Sequence, residues 1–231
     1  MDESAPLRQI ESTDSTPWKT SADEEEVEPT ILTMHDDHIS QDGEPLYSIS
    51  RSLTALKQER SSIRLERVDS TPEGETNISE SSNTSKSLIF YLVHPLNSHY
   101  RTDKPAYFAT CAEESGLGNI ELEIEKKGLS KTKYKVQLSP GRSASSDPLF
   151  HSDPTTALTA KTNFVSGKYF WSDSQGKKIA QEELTTDNKH QLKIIQTMQT
   201  SFRDAVVAAW CLRVWSEVGE SRQTKTDRKP S

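Results

Sequence analysis

Residues 205–212 run Ala205-Val206-Val207-Ala208-Ala209-Trp210-Cys211-Leu212, eight apolar positions with no polar interruption. At about 100° per residue, such a run leaves no polar face on a helix, and a helix apolar all round must be enclosed. A bilayer span takes roughly 20 apolar residues, and Arg213 ends this run far short of that. The enclosing material is therefore protein. Upstream, the segments able to supply it have strand character, which points to a β-built shell around one C-terminal helix.

The helix has a start and a stop. Ser201 is a candidate N-cap, Asp204 sits three residues on in a capping-box-like position suited to the helix dipole, and Gly219 is a candidate C′ residue. About 17 residues at 1.5 Å each give a rod of roughly 25 Å, long enough to thread a small barrel. Trp210 and Trp215 bring large rings whose indole N–H groups need partners.

Working outward, Ile120, Leu122 and Ile124 alternate with Glu121, Glu123 and Glu125, the clearest period of two in the chain, and Tyr134, Val136 and Leu138 repeat it. Leu88–His94 is a continuous β-prone run that suits a strand buried on both faces. Ala106–Cys111, Thr156–Lys161, Lys168–Trp171, Ile179–Leu184 and Gln191–Met198 complete a series of short strands, with turn residues between them every ten or so positions. Leu46–Ser50 and Ile63–Val68 are earlier strands, and Leu53–Arg60 is a helical turn or hairpin connection. That spacing indicates a barrel or sandwich rather than βαβ units.

Apolar residues make up 32 % of the 231 and mean hydropathy is −0.76. Charge is unevenly spread: residues 1–45 hold 13 acidic and 2 basic residues, net −11, and residues 46–231 hold 22 acidic and 26 basic, net +4. A segment so charged and so poor in apolar residues cannot offset its chain entropy. The expected organisation is an acidic disordered tail over 1–44, a domain over 45–222 with a flexible insertion near 69–87, and a disordered C-terminus over 223–231. Cys111 and Cys211, 100 positions apart, are predicted buried thiols. The start has no basic n-region or apolar h-region, so no secretory signal is expected, and the sequons at Asn77 and Asn83 are chance matches. The chain is thus expected to be intracellular, cytoplasmic or nuclear.

A many-stranded sheet ending in an apolar C-terminal helix resembles the tubby C-terminal-like superfamily, and more closely the tubby-like proteins of filamentous fungi. The stretches that carry the resemblance include Pro45-Leu46-Tyr47, Phe90–Asn97, Tyr100–Tyr107, Lys168–Trp171, Arg203–Ala205 and Trp210–Trp215. It covers roughly residues 45 to 222. The resemblance implies an α+β fold, a closed or nearly closed antiparallel β-barrel of about twelve strands around the helix. It also implies binding of phosphoinositides, as tubby proteins do, without licensing the transfer of individual site residues.

The residues themselves offer one candidate surface. Lys126, Lys127, Lys131, Lys133 and Lys135 fall within ten positions of a hairpin, and Arg142 is able to join them from the next loop. Such a patch holds an anionic head group at about 1 kcal/mol per basic residue near a membrane surface. The plainer reading is a solvated edge hairpin whose lysines guard against aggregation and pair across strands with Glu121, Glu123 and Glu125.

Other chemistry is weaker. His94 and His99 flank Pro95 without a carboxylate or cysteine nearby, and His35-Asp36-Asp37-His38 sits in the expected tail, so no metal is assigned. Gly116-Leu117-Gly118 precedes a strand and not a helix, which excludes a dinucleotide fingerprint, and Cys211 lies in the buried helix. No catalytic residue, cofactor or nucleic-acid surface is assigned. The expected function is a non-enzymatic binding module for anionic lipid or phosphoinositide head groups, the alternative being a protein-interaction or scaffold domain. The charge split adds that the acidic tail competes with anionic ligands for the hairpin.

Overall fold

The structure, a computed structural model, describes residues 25–54, 61–69, 85–95, 104–112, 116–127, 131–163 and 166–226. The strands are β1 (Glu26–Val27), β2 (Ile31–Met34), β3 (His38–Gln41), β4 (Glu44–Ile49), β5 (Ser61–Asp69), β6 (Ser85–His94) and β7 (Phe108–Cys111). They continue with β8 (Asn119–Lys127), β9 (Lys131–Ser139), β10 (Thr155–Thr162), β11 (Tyr169–Asp173), β12 (Lys178–Leu184), β13 (His190–Ile194) and β14 (Met198–Gln199). One helix, α1 (Thr200–Thr226), follows. Strands β2 to β13 pair in chain order, each antiparallel to the next, and β13 closes back onto β2. The fold is a closed twelve-stranded up-and-down barrel with one C-terminal helix, an α+β architecture as the sequence implies.

Eight strands enclose a lumen that side chains alone can fill. Twelve enclose a wider one, and a helix roughly 10 Å across is what occupies it here. From Phe202 to Ser216 every residue of α1 is buried, packed against inward side chains such as Leu32, Tyr47, Leu65, Leu92, Ile120, Val136, Trp171 and Leu192. Alternation along each strand sends these residues inward and their polar neighbours outward.

Several expectations are corrected. Residues 26–44 are not tail: β1, β2 and β3 lie there, and Leu32 and Ile39 are fully buried in the core. Net charge misled here because β-strands need an apolar residue only at every second position, which Ile31-Leu32-Thr33-Met34 and His38-Ile39-Ser40 supply. Residues 1–24 lie outside the described residues, as do 70–84 of the expected insertion, 55–60 of the expected turn, His99 and 227–231. The insertion is shorter than expected, since β5 runs to Asp69 and β6 begins at Ser85. β6 buries only Phe90, Leu92 and His94 fully, with its outer face half-buried. Gln191–Met198 is not one strand, because β14 leaves the barrel and pairs with β1 beside the start of the helix.

The helix is 27 residues long and passes through Gly219 without stopping. It begins at Thr200, whose amide donates to the Glu25 carbonyl, so Asp204 lies beyond the first turn and does not form a capping box. Trp171 Nε1 and Trp210 Nε1 are buried without a hydrogen-bond partner among the described residues. Burying such a ring outweighs one unmade bond, which costs about 1–3 kcal/mol. Cys111 and Cys211 are both buried free thiols.

Candidate functional site

The up-and-down order places alternate turns at the same end of the barrel. The proximal end, where α1 begins, carries the β3–β4, β7–β8, β9–β10 and β11–β12 connections. The distal end carries the β2–β3, β4–β5, β6–β7, β8–β9, β10–β11 and β12–β13 connections. The helix finishes there, with Trp215 edge-on to His94 and Tyr107.

The β8–β9 hairpin reaches the distal end with Lys127 opposite Lys131 and Glu125 opposite Lys133. Lys133 Nζ lies 3.5 Å from Glu125, and Lys135 pairs with both Glu125 and Glu123. The hydrogen bond from Lys135 holds the Glu125 carboxyl below its usual range, and the same contact raises Lys135. Lys135 is thereby occupied on the barrel wall. Lys126 is exposed at the hairpin. Arg142 does not join this group: β9 runs from Lys131 at the distal end to Ser139 at the proximal end, and Arg142 follows it there. Six residues of strand between Lys133 and Ser139 separate the two by about 20 Å at 3.4 Å per residue.

Other connections bring basic residues to the distal end that linear spacing did not reveal. Lys161 stands directly opposite Lys133 in the β9–β10 register. Arg51, Lys104, Lys168 and Lys189 occupy the β4–β5, β6–β7, β10–β11 and β12–β13 connections. Lys168 pairs with Glu183 across strands, and Asp36, Asp37 and Asp187 are among the acidic residues described at the same rim. Leu184, at the end of β12, is 57 % exposed among them. The signal that would have found these lysines is the pairing order, since every second turn of a meander faces the same way.

Inside the barrel are two polar clusters. Near the proximal end, Arg203 Nε donates to the Tyr47 hydroxyl at 2.9 Å, and that hydroxyl donates to Asp204 Oδ1 at 2.7 Å. Arg67 Nη1 donates to Asp204 Oδ2 at 3.0 Å. Burial, and then the Asp204 charge, push the Tyr47 phenol well above its ordinary value. A cleft of about 270 Å³ opens beside this cluster, lined by Arg67, Ser87, Phe90, Cys111, Leu117 and Asp204. Its carboxylate already accepts two hydrogen bonds, which suits a structural tie better than a base.

Toward the distal end, Arg213 is 1 % exposed, ion-paired with buried Glu182 and bonded to Glu217 Oε2 at 2.8 Å. Its guanidinium lies 4.3 Å from the Tyr169 ring centroid and 5.8 Å from that of Tyr134. Desolvation opposes the Arg213 charge, but Glu182 and Glu217 outweigh it and the pKa rises. Burial, with Glu182 beside it, pushes the Cys211 thiol up as well, away from the thiolate that a nucleophile requires.

His94 is buried, stacked on Tyr107 at 4.2 Å, with Nδ1 2.6 Å from the Ala106 carbonyl. His35 and His38 stack at 4.3 Å on the β2–β3 turn, with Asp37 2.7 Å from His38 Nδ1. Among the described residues no group of three His, Cys, Asp or Glu side chains is placed to hold a metal ion, and no helix is long and apolar enough to cross a membrane. The chain matches no family model, no curated protein and no solved structure.

Proposed function

We propose that the protein is a tubby-like, non-enzymatic binding module that docks its distal end on phosphate head groups of an anionic membrane surface. The observation that carries this reading is the register, which gathers Lys127, Lys131, Lys133 and Lys161 across three adjacent strands, Lys133 being partly balanced by Glu125. Like charges directly opposite one another destabilise a sheet, and an anionic surface turns that cost into attraction. Arg51, Lys104, Lys126 and Lys189 extend the same rim, and exposed Leu184 supplies an apolar contact. Lys135 and Arg142 fall outside the docking face, the first paired with Glu123 and Glu125 and the second at the other end. A peripheral location on a cytoplasmic leaflet goes with this reading. Buried Asp204 and Glu182 are both tied to arginines, which favours binding over catalysis.

Co-sedimentation with vesicles of phosphatidylcholine alone, with phosphatidylserine added, and with a phosphoinositide added tests the reading. The wild type pellets with the anionic vesicles at low salt and is released as salt shortens the screening length to about 8 Å at 0.15 M. A combined Lys126→Glu, Lys127→Glu, Lys131→Glu, Lys161→Glu variant stays in solution. Equal pelleting of the two proteins overturns the reading. Stronger binding to phosphoinositide at matched charge distinguishes head-group recognition from surface charge.

A further inference from the structure

The distal rim is not basic all the way round. Its β8–β10 side carries Lys126, Lys127, Lys131, Lys133 and Lys161, whereas the β2–β3 turn, half the barrel away in pairing order, carries Asp36 and Asp37. The β4–β5 and β12–β13 connections flank that turn with Arg51, Asp187 and Lys189. Among the described residues of these three connections, three carboxylates stand against two cations, net −1. An anionic surface therefore attracts one side of the rim and repels the other.

Of the described histidines, His35, His38, His94 and His190 lie at this end and His151 at the other. His94 is stacked on Tyr107, and His190 Nδ1 lies 3.6 Å from buried Glu182. His35 and His38 bracket the β2–β3 turn on the acidic side itself, and their rings stack at 4.3 Å with only 7° between the planes. That turn is fastened in place. The His35 amide donates to the His38 carbonyl at 2.8 Å, the Ile49 amide to the Asp37 carbonyl at 2.7 Å, and Ser52 Oγ to Asp36 at 2.9 Å. His35 Nε2 lies 3.0 Å from Ser40 Oγ, and His38 Nδ1 lies 2.7 Å from Asp37 Oδ1.

The charged groups that face His35 are His38, Asp36 and Asp37 from its own turn and Lys189 from the β12–β13 connection. β3 and β4 add the neutral Ser40 and Ser48, and the β4–β5 connection adds Ser52 with exposed Arg51 beside it. Desolvation, then His38 and Lys189, hold the His35 imidazole below its ordinary value, so it is neutral at pH 7. The hydrogen bond with His38 holds the Asp37 carboxyl below the usual carboxylate range, so it stays ionised in mildly acid solution. The charge that changes on this side between pH 7.5 and 5.5 is that of the two rings.

We propose that His35 and His38 form a proton-linked contact for phosphate head groups, which turns the β2–β3 side of the rim from net −1 to net +1 as the solution becomes mildly acid. The inference rests on the membrane-docking reading and adds its regulation by pH. At neutral pH the protein holds the surface by its β8–β10 side alone. Once both rings carry a proton, the opposite side is drawn down as well. Two charged rings stacked this closely repel one another in the free protein, and a phosphate brought against them offsets that repulsion. A surface that favours the protonated form draws protons in as it binds, so affinity climbs as pH falls.

The test measures the affinity of the full chain for vesicles of phosphatidylcholine and phosphatidylglycerol, whose phosphodiester stays ionised throughout, at pH 7.5 and pH 5.5 and constant low salt. The expected result is an affinity about tenfold higher at the lower pH. In the His35→Gln, His38→Gln double variant the rise shrinks to about twofold or less. His151→Gln, altered at the proximal end, keeps the wild-type rise. Calorimetry of wild-type binding at pH 6.5, in buffers of different ionisation enthalpy, counts the protons exchanged, and an uptake of about one or more per bound chain is expected. No proton uptake, a wild-type affinity that is flat in pH, or a double variant that keeps the full rise overturns the proposal and leaves the docking reading standing. Failure to bind the anionic vesicles at either pH overturns both. Because the proton count uses only the wild-type chain, it decides the matter even where a variant fails to fold.

Discussion

The Tyr47 hydroxyl donates to the Asp204 carboxylate at 2.7 Å across 157 residues of sequence, fastening the first strands of the barrel to the helix at its centre. Arg203 and Arg67 complete the tie, so that one buried carboxylate and one phenol organise groups from β4, β5 and α1. Tyr47→Phe keeps the ring and removes the bridge, leaving a buried carboxylate and a buried guanidinium each one partner short. The expected loss is about 1–3 kcal/mol, read as a lower denaturant midpoint with an unchanged slope.

The same phenol sets an alkaline limit. Its folded pKa is raised above an unfolded value near 10, so its neutral form contributes fully below pH of about 10 and that contribution is lost as pH rises through the folded pKa. Wild-type stability is expected to fall from about pH 10 upward, and to fall less steeply in Tyr47→Phe. Parallel pH profiles for the two proteins would contradict this assignment.

Arg213 and Glu182 make a buried pair at the other end of the lumen. Removing one partner leaves an uncompensated charge, at about 3–5 kcal/mol. Arg213→Met and Glu182→Leu singly are therefore expected to be severe, and the double variant milder than either single one. A denaturation cycle over the four proteins measures the coupling.

How much of this was legible depended on what each residue had to satisfy locally. The run from Ala205 to Leu212 announced an enclosed helix because no helical face was left for water. Ile120–Glu125 announced a strand because its alternation admits no other period. The strands of residues 31–41 were hidden, since Asp36, Asp37, Asp42 and Glu44 sit in turns and at strand ends but dominate a windowed charge count. The distal basic rim was hidden too. Lys161 and Lys189 are far in sequence from the hairpin lysines and reach the same end only because the strands pair as an antiparallel meander. Conversely, Arg142 looked adjacent to Lys135 in sequence and is carried to the opposite end by the length of β9.

Gly118 holds φ at +104°, and a Cβ there would lie 2.2 Å from the Ser139 carbonyl oxygen. Both the backbone conformation and the close approach demand glycine, at the point where β8 enters beside the end of β9. Gly118→Ala is expected to cost about 2–4 kcal/mol, combining a strained backbone with a main-chain displacement. Gly176→Ala serves as the comparison, because it shares the positive φ but has no atom within 4 Å of its added Cβ. Thermal melts should rank Gly118→Ala well below Gly176→Ala.

Because β2 and β3 close the barrel against β13 and β4, the position of an N-terminal truncation decides whether a barrel remains. Deleting residues 1–24 retains every described strand, whereas deleting 1–44 removes β1, β2 and β3 and exposes the edges of β13 and β4. The shorter truncation should melt cooperatively. The longer one should lose the cooperative transition and aggregate through its opened edges. This confines any test of tail competition for the distal lysines to residues 1–24, which carry six acidic and two basic residues, net −4.

Glu121 carries a charge that the fold disfavours. Its carboxyl is raised by desolvation and by Glu123, so ionising it costs the free fold something at neutral pH. The sign follows: a raised folded pKa means the cost is absent below the unfolded value near 4.3 and fully present above the folded one. Glu121→Gln is expected to stabilise the protein at pH 7, by about 0.5 kcal/mol or less given its partial exposure, and to make no difference at pH 3.5. A variant that is less stable at pH 7 would show that Glu121 is a structural residue after all.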